Sequence, residues 1–260
     1  MKVATWNING IRARLDVALT WTREVSPDVL CLQEIKSEDA AFPAERFEEL
    51  GYNVATHGQK GFNGVALLSK LPLEDVSRGL PGSDTDDHAR FIEAVISVPS
   101  GAVRIVSLYL PNGNPIDSDK FPYKLAWMQR LERHAREMLA REETFALCGD
   151  FNVIPTDADA RFPANWRNDA LMQPETRAQY RRLLNLGLTD AFRACDAGDG
   201  SYTFWDYQAG AWQKNNGIRI DHILLSPQAT DRLVGAEIDK RVRGWEKPSD
   251  HVPVIVELDV

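Results

Sequence analysis

The chain has 260 residues, 43% of them hydrophobic and 26% charged, and a formal net charge of −8. That length can bury a sizeable core, the balance excludes a disordered protein, and no run of about 18 apolar residues exists to cross a bilayer. The acidic sum disfavours a general nucleic-acid coat protein but not an enzyme with a local basic groove, because carboxylates gathered at a metal site can dominate the total.

The N-terminus, Met1-Lys2-Val3-Ala4-Thr5-Trp6, enters a strand pattern at once and lacks the layout of a secretory signal, so a cytoplasmic protein is expected. Cys31, Cys148 and Cys195 form no CxxC pair and are expected to be buried, reduced thiols. Strands are predicted near 2–8, 28–34, 52–58, 64–70, 89–98 and 103–110, then near 144–151, 188–192, 202–207, 218–226, 234–242 and 252–259. A helix over 11–25 puts Ile11, Leu15, Ala18, Leu19 and Thr22 on one side and stops before Pro27. A second, over 119–140, has Asp119 as N-cap, Pro122 in its first turn, and Leu125, Met128, Leu131, Ala135, Met138 and Leu139 at helical spacing. A third, over 175–186, ends at Gly187. Two similar sets of about six strands predict two sheets packed face to face with helices outside, an α+β protein whose pseudo-equivalent halves form one domain over 1–260.

Polar residues recur at the strand ends. The first strand delivers Asn7 and Asn9, the second Glu34, and the sixth Tyr109 before Pro111-Asn112-Gly113. The apolar run Phe145-Ala146-Leu147-Cys148 leads into Gly149-Asp150-Phe151-Asn152, where extended chain would point Asp150 and Asn152 to one face. Asp221 sits inside the run Ile218 to Leu225, and Ser249-Asp250-His251 opens the last strand. Each has a plainer reading. Glu34 could begin an exposed loop, Asp221 could pair with Arg219 or Arg241, Asp150 and Asp250 could close turns, and His251 and Tyr109 could be satisfied core groups. One shared cause explains six such ends better than six coincidences, because cores favour apolar ends. Carboxylates with amides suit a hard divalent cation and a positioned water. No compact His/Cys zinc cluster, P-loop or Gly-x-Ser-x-Gly elbow competes. Phosphodiester hydrolysis is the chemistry these residue types share.

Trp6-Asn7-Ile8-Asn9-Gly10, Leu32-Gln33-Glu34-Ile35-Lys36, Leu108-Tyr109-Leu110-Pro111-Asn112, Gly149-Asp150-Phe151-Asn152, Arg219-Ile220-Asp221 and Ser249-Asp250-His251 together resemble the exonuclease III family of DNA-repair enzymes, within the endonuclease/exonuclease/phosphatase superfamily. Lys247-Pro248 and Tyr202-Thr203-Phe204-Trp205 resemble its repair branch. The resemblance implies a four-layer αββα sandwich of DNase I type. It implies Mg2+, with Mn2+ substituting, and a monomer acting on duplex DNA at abasic sites or 3′ ends, away from membranes. Cleavage would fall 5′ to the abasic site, with 3′→5′ exonuclease or 3′-phosphatase trimming beside it.

The resemblance also implies roles. Glu34 would be the main metal ligand, with Asn7, Asp250, Asp150, Asn152 and His251 completing the metal region. Asn9 stands where many relatives carry Asp. Asp150 would orient or deprotonate the attacking water, and Asn152 would hold that water or a phosphate oxygen. His251 would bond a phosphate oxygen with its tautomer set by Asp221, Tyr109 would contact the phosphate or assist the leaving oxygen, and Asn112 would support the same oxygens. Phe204 matches a pocket aromatic, and Ile218 replaces the Trp of some relatives. Arg12, Lys36, Lys60, Arg90, Lys214 and Arg219 are candidate DNA contacts. A superfamily cousin hydrolysing unspecific DNA, an inositol phosphate or a phospholipid is the alternative enzyme. A catalytically dead interaction module is the non-enzymatic one.

Overall fold

The computed structural model describes residues 1–260. In chain order the first half runs β1 (Lys2–Asn7), α1 (Leu15–Val25), β2 (Val29–Gln33), α2 (Ala44–Glu48), β3 (Asn53–His57), β4 (Val65–Ser69), β5 (Glu74–Arg78), β6 (Phe91–Val98) and β7 (Gly101–Tyr109). Then come α3 (Lys120–Ala140), β8 (Phe145–Asp150), α4 (Pro174–Asn185), β9 (Thr189–Asp190), α5 (Ala191–Cys195), β10 (Asp221–Leu225), α6 (Pro227–Thr230), β11 (Leu233–Ile238) and β12 (Val254–Leu258).

The strands form two mixed six-stranded sheets, β11-β12-β1-β2-β4-β3 and β5-β6-β7-β8-β10-β9. Period-2 alternation assigns each strand's two faces. Val3, Val29, Cys31, Ala146 and Cys148 pack between the sheets. Ala4, Trp6, Leu30 and Leu32 pack outward, where α1 contributes Ala18 and Leu19. Phe145 and Leu147 face the opposite outer layer, where α3 contributes Met128, Leu131, Ala135 and Met138. The αββα sandwich is thus the expected one. No helix is long and apolar enough to cross a membrane.

Several expectations need correction. The sheets do not correspond to chain halves, because β11 and β12 return to the first sheet and β12 pairs antiparallel with β1. The strand near 202–207 is absent; only Phe204 makes isolated bridges, to Ile218 and His251. The strand β5 went unseen because it is an edge strand with four of five residues exposed, so no apolar alternation marks it. Cys195 is exposed, whereas Cys31 and Cys148 are buried as expected, and all three are free thiols. The helix near 11–25 begins as a 3-10 turn over Arg12–Arg14 before α1. Asp119 precedes α3 without a side-chain cap.

Candidate active site

Strand direction gathers the polar ends at one rim. β1 runs parallel to β2, and Asn7 pairs with Gln33. β7 runs parallel to β8, and Tyr109 pairs with Asp150. β10 runs antiparallel to β8, so its first residue, Asp221, meets Asp150 at the last. β12 runs antiparallel to β1, which brings the preceding Asp250 and His251 to the same rim. Alternation puts Asn7 on the face of Val3, and Asp150 on the face of Ala146 and Cys148, so both point between the sheets.

The contact between them is direct. Asn7 Nδ2 donates to Asp150 Oδ2 at 2.9 Å and to Glu34 Oε1 at 2.9 Å. Asn7 Oδ1 accepts from the Asn9 N–H at 3.0 Å. The other oxygen of Asp150 accepts from the Asn152 N–H at 2.9 Å. His251 Nδ1 lies 2.8 Å from Asp221 Oδ2, and its Nε2 lies 3.8 Å from Asp150 Oδ2. Asn152 Nδ2 donates to the Leu110 carbonyl at 2.9 Å, and its Oδ1 accepts from Asn112 Nδ2 at 3.1 Å. Lys36 Nζ sits 2.8 Å from Glu34 Oε2 and 2.6 Å from Asn9 Oδ1, while Asn9 Nδ2 donates to Asp250 Oδ1 at 3.0 Å.

These contacts require unusual backbone. Asn9, Glu34, Lys36 and Asn152 have φ of +47°, +49°, +50° and +48°. The left-handed region is tolerated by Asn and costs about 1 kcal/mol or more for other side chains. Asp150 and Asn152 therefore reach one site through a left-handed turn, not by sharing a face of extended chain.

Burial and charge act together on the titrating groups. Burial raises the Asp150 carboxyl to about 7, with His251 opposing and the charge of Asp221 assisting. Burial alone would lower His251, but Asp221 first, then Asp150 and Asp250, raise it to about 10. Burial works against the Glu34 carboxylate, and Lys36 and Asn7 outweigh it to hold the pKa low. Burial, then the charges of Glu34 and Asp150, push the Tyr109 phenol well above its ordinary value. A protonated imidazolium thus faces an acid poised near neutrality.

A cleft of about 160 Å³ opens over these groups, and Glu34, Tyr109, Asn112, Asp150, Asn152, Phe204, Ile218, Asp250 and His251 all line it. Phe204 meets His251 edge-on, with ring centroids 4.9 Å apart. Asn7 and Asp221 lie beneath and hold these residues. Trp166, Asp169, Leu171 and Ile220 complete the walls and escaped the sequence reading. Trp166 ends a 3-10 turn over Pro163–Trp166, which has no strand pattern to mark it.

The candidate cations divide. Lys36 belongs to the site itself. Arg90 lies against Tyr109, its guanidinium 4.8 Å from the ring centre. Arg12, Lys60 and Lys214 are exposed and outside the cleft lining; Arg12 donates to the Ala41 carbonyl. Arg219 is not a DNA contact. It is buried, with Nε 2.7 Å from Asp159 Oδ1 and Nη1 2.8 Å from Asp190 Oδ2. The proposed ion pair of Asp221 with Arg219 or Arg241 is likewise absent, since Asp221 holds His251 and Arg241 holds Asp239.

Glu34, Asp150 and His251 offer ligand atoms within 4.8 Å of one another. With Asp250 beside them, the donors are mainly hard oxygens, which fits Mg2+ or Mn2+ better than zinc.

The chain is similar to known proteins along its whole length. Residues 4–251 match the endonuclease/exonuclease/phosphatase family. The chain is 37% identical to an exodeoxyribonuclease III of Haemophilus influenzae, across 99% of this chain and 100% of that one. Among solved structures, it superimposes on an AP endonuclease from Archaeoglobus fulgidus with a TM-score of 0.94 and 38% identity, covering 100% of both chains. A 3′ phosphatase from Neisseria, solved bound to a product DNA hairpin, superimposes with a TM-score of 0.95 and 37% identity, again over 100% of both.

Proposed function

The chain belongs to the endonuclease/exonuclease/phosphatase family, on the nuclease branch of exonuclease III and the AP endonucleases, and from that premise we propose a divalent-metal-dependent DNA-repair phosphodiesterase. It cuts duplex DNA 5′ to abasic sites and trims 3′ ends as a 3′→5′ exonuclease and 3′-phosphatase. One domain over 1–260 carries the activity. The observation that carries this reading is the chain of contacts Glu34–Asn7–Asp150 facing His251–Asp221 across one cleft.

Glu34 and Asp250 would hold Mg2+, with Asn7 beside them and Asp150, Asn152 and His251 completing the region. When bound, the ion supplies charge neutralisation at the non-bridging oxygens and makes a nearby water more acidic. Asn7 Nδ2 and the Asn152 N–H fix both oxygens of Asp150, so the carboxylate is aimed before substrate arrives. Asp150 takes the proton of the attacking water; the water oxygen bonds to phosphorus and the bond to the 3′-oxygen breaks. His251 donates Nε2–H to a non-bridging oxygen, and Asp221 supports its charge. The phenol of Tyr109 keeps its proton and can donate it toward the phosphate or the leaving oxygen. Asn112 and Asn152 hold the same oxygens. Phe204 and Ile218 form an apolar wall against which a sugar without a base would lie, whose extrusion costs less than that of a paired nucleotide.

An end-labelled duplex carrying one abasic analogue, digested with Mg2+ and then with EDTA present, tests the reading. One nick or a ladder of shortened ends that EDTA abolishes is expected. An intact duplex under both conditions would overturn it.

A further inference from the structure

Lys124, near the start of α3, has no exposed surface at all. Its ammonium donates three hydrogen bonds, to the carbonyls of Pro111 at 3.0 Å, Asn112 at 3.1 Å and Asn152 at 2.6 Å. Every proton of the ammonium is used, and every acceptor is backbone. No carboxylate bonds it, and burial lowers its pKa to about 7 against the charges of Asp150 and Asp169; a charge held there at neutral pH is costly, which points to a task beyond packing.

The acceptors come from the loops that follow β7 and β8. Those loops carry the amides that meet in the cleft, Asn112 Nδ2 donating to Asn152 Oδ1 at 3.1 Å. The Asn152 N–H in turn bonds Asp150 at 2.9 Å, with Asn152 in the left-handed region at φ +48°. Asn tolerates that conformation, and the bond from Lys124 to its carbonyl helps to hold it. The bond from Lys124 to the Asn152 carbonyl is the shortest of the three. The neighbouring loop approaches the lysine stem closely. A Cβ at Gly113, where φ is +90°, would lie 2.6 Å from Lys124 Cδ.

We propose that Lys124 is a positioning residue for phosphodiester hydrolysis: it ties the two loops together and so sets Asn112, Asn152 and the Asn152 N–H against the phosphate and Asp150. This rests on the phosphodiesterase reading above. Misplacing reacting groups by about 1 Å can cost about 100-fold in rate. Lys124→Met keeps the stem and removes all three donors, so kcat on the abasic duplex should fall about 10-fold to 100-fold with KM little changed. The loss should shrink several-fold when Lys124→Met is made in an Asn152→Ala background, because one of the groups it positions is gone.

If the Met variant does not fold, Lys124→Arg gives the same reading. Its planar fork cannot aim three protons at the same three carbonyls as an ammonium does, so the loops shift while the charge remains. A kcat within about twofold of wild type in whichever variant folds would overturn the proposal. So would a loss of equal size in the Asn152→Ala background, because a merely structural lysine gives additive losses. Inactive wild-type protein would instead overturn the phosphodiesterase reading, so the two failures are distinguishable.

Discussion

Asp150 is held by two donors and sits among acids, and each fact has a chemical consequence. The donors fix its direction, and burial with the nearby carboxylate of Asp221 keeps its proton affinity close to neutral. A general base is most useful with a pKa near the working pH. Asp150→Asn should therefore keep the fold and remove nearly all nicking in a single-turnover assay. Retention of more than about a tenth of the rate, under about 1.4 kcal/mol of barrier, would rule out an essential role. Glu34 serves differently. Its carboxylate stays ionised beside Lys36 and Asn7, as a metal ligand requires. Glu34→Ala should raise the Mg2+ concentration needed for half-maximal activity, and an unchanged metal titration would remove its ligand role. Asn7 and Glu34 were legible as polar strand ends. Lys124 also had a signal, since positions 124, 128, 131 and 135 share one helical face and three of the four are apolar. The lysine on that stripe was the anomaly.

Elements are joined beneath the site by a polar network. Arg219, just before β10, pairs with Asp159 in the loop after β8 and with Asp190 in β9. Arg219 Nη1 also lies 2.9 Å from His222 Nδ1, and Tyr180 of α4 donates to Asp190 at 3.1 Å. The network fixes the wall that includes Ile218 and Ile220. It also sets a pH dependence. Burial, then Arg219, lower His222 to about 4, so the folded protein keeps this imidazole neutral. The unfolded chain binds that proton near its ordinary value of about 6.5. Stability from this group is complete above about 6.5 and is lost as pH falls toward 4. Burial opposes the carboxylates of Asp159 and Asp190, but Arg219 outweighs it and holds both low, so they add losses of the same sign in stronger acid. Between pH 7 and 5 the His222 share is roughly 2 kcal/mol. Urea unfolding of His222→Phe should show a flatter dependence than wild type over this range; parallel curves would contradict the assignment. Arg219 looked like a DNA contact because a charged residue near a site is ordinarily read as exposed. Only its surroundings make it structural.

Across the whole molecule, the net charge of −8 leaves DNA binding to local cations around the cleft. Binding of an abasic duplex should weaken with added salt, with a slope near −0.9 for each phosphate neutralised. A salt-independent Kd would count against a DNA groove. The two sheets are tied together beneath the site. Thr5 Oγ1 donates to Gln33 Oε1 at 3.2 Å, and Gln33 Nε2 reaches Ser107 Oγ in the other sheet at 3.1 Å. That bridge lies between the sheets, below the contact of Asn7 with Asp150.

The linear pattern determined the strands with buried faces, the amphipathic helices, the two-sheet sandwich and the polar strand ends, because alternation and helical spacing are local consequences of burial. It also carried the family resemblance, because Asn7, Glu34, Asp150, Asp221 and His251 stand in recognisable short contexts. Tertiary structure alone decided the rest. The pairing of β12 with β1 interleaves the chain's ends in one sheet, and no local signal encodes that partner. The left-handed turns at Glu34 and Asn152 aim side chains that extended chain would send elsewhere. The walls from Trp166 and Leu171, and the buried tasks of Arg219 and Lys124, depend on neighbours far away in sequence. Proximity in space, which no spacing along the chain expresses, made those residues part of one site.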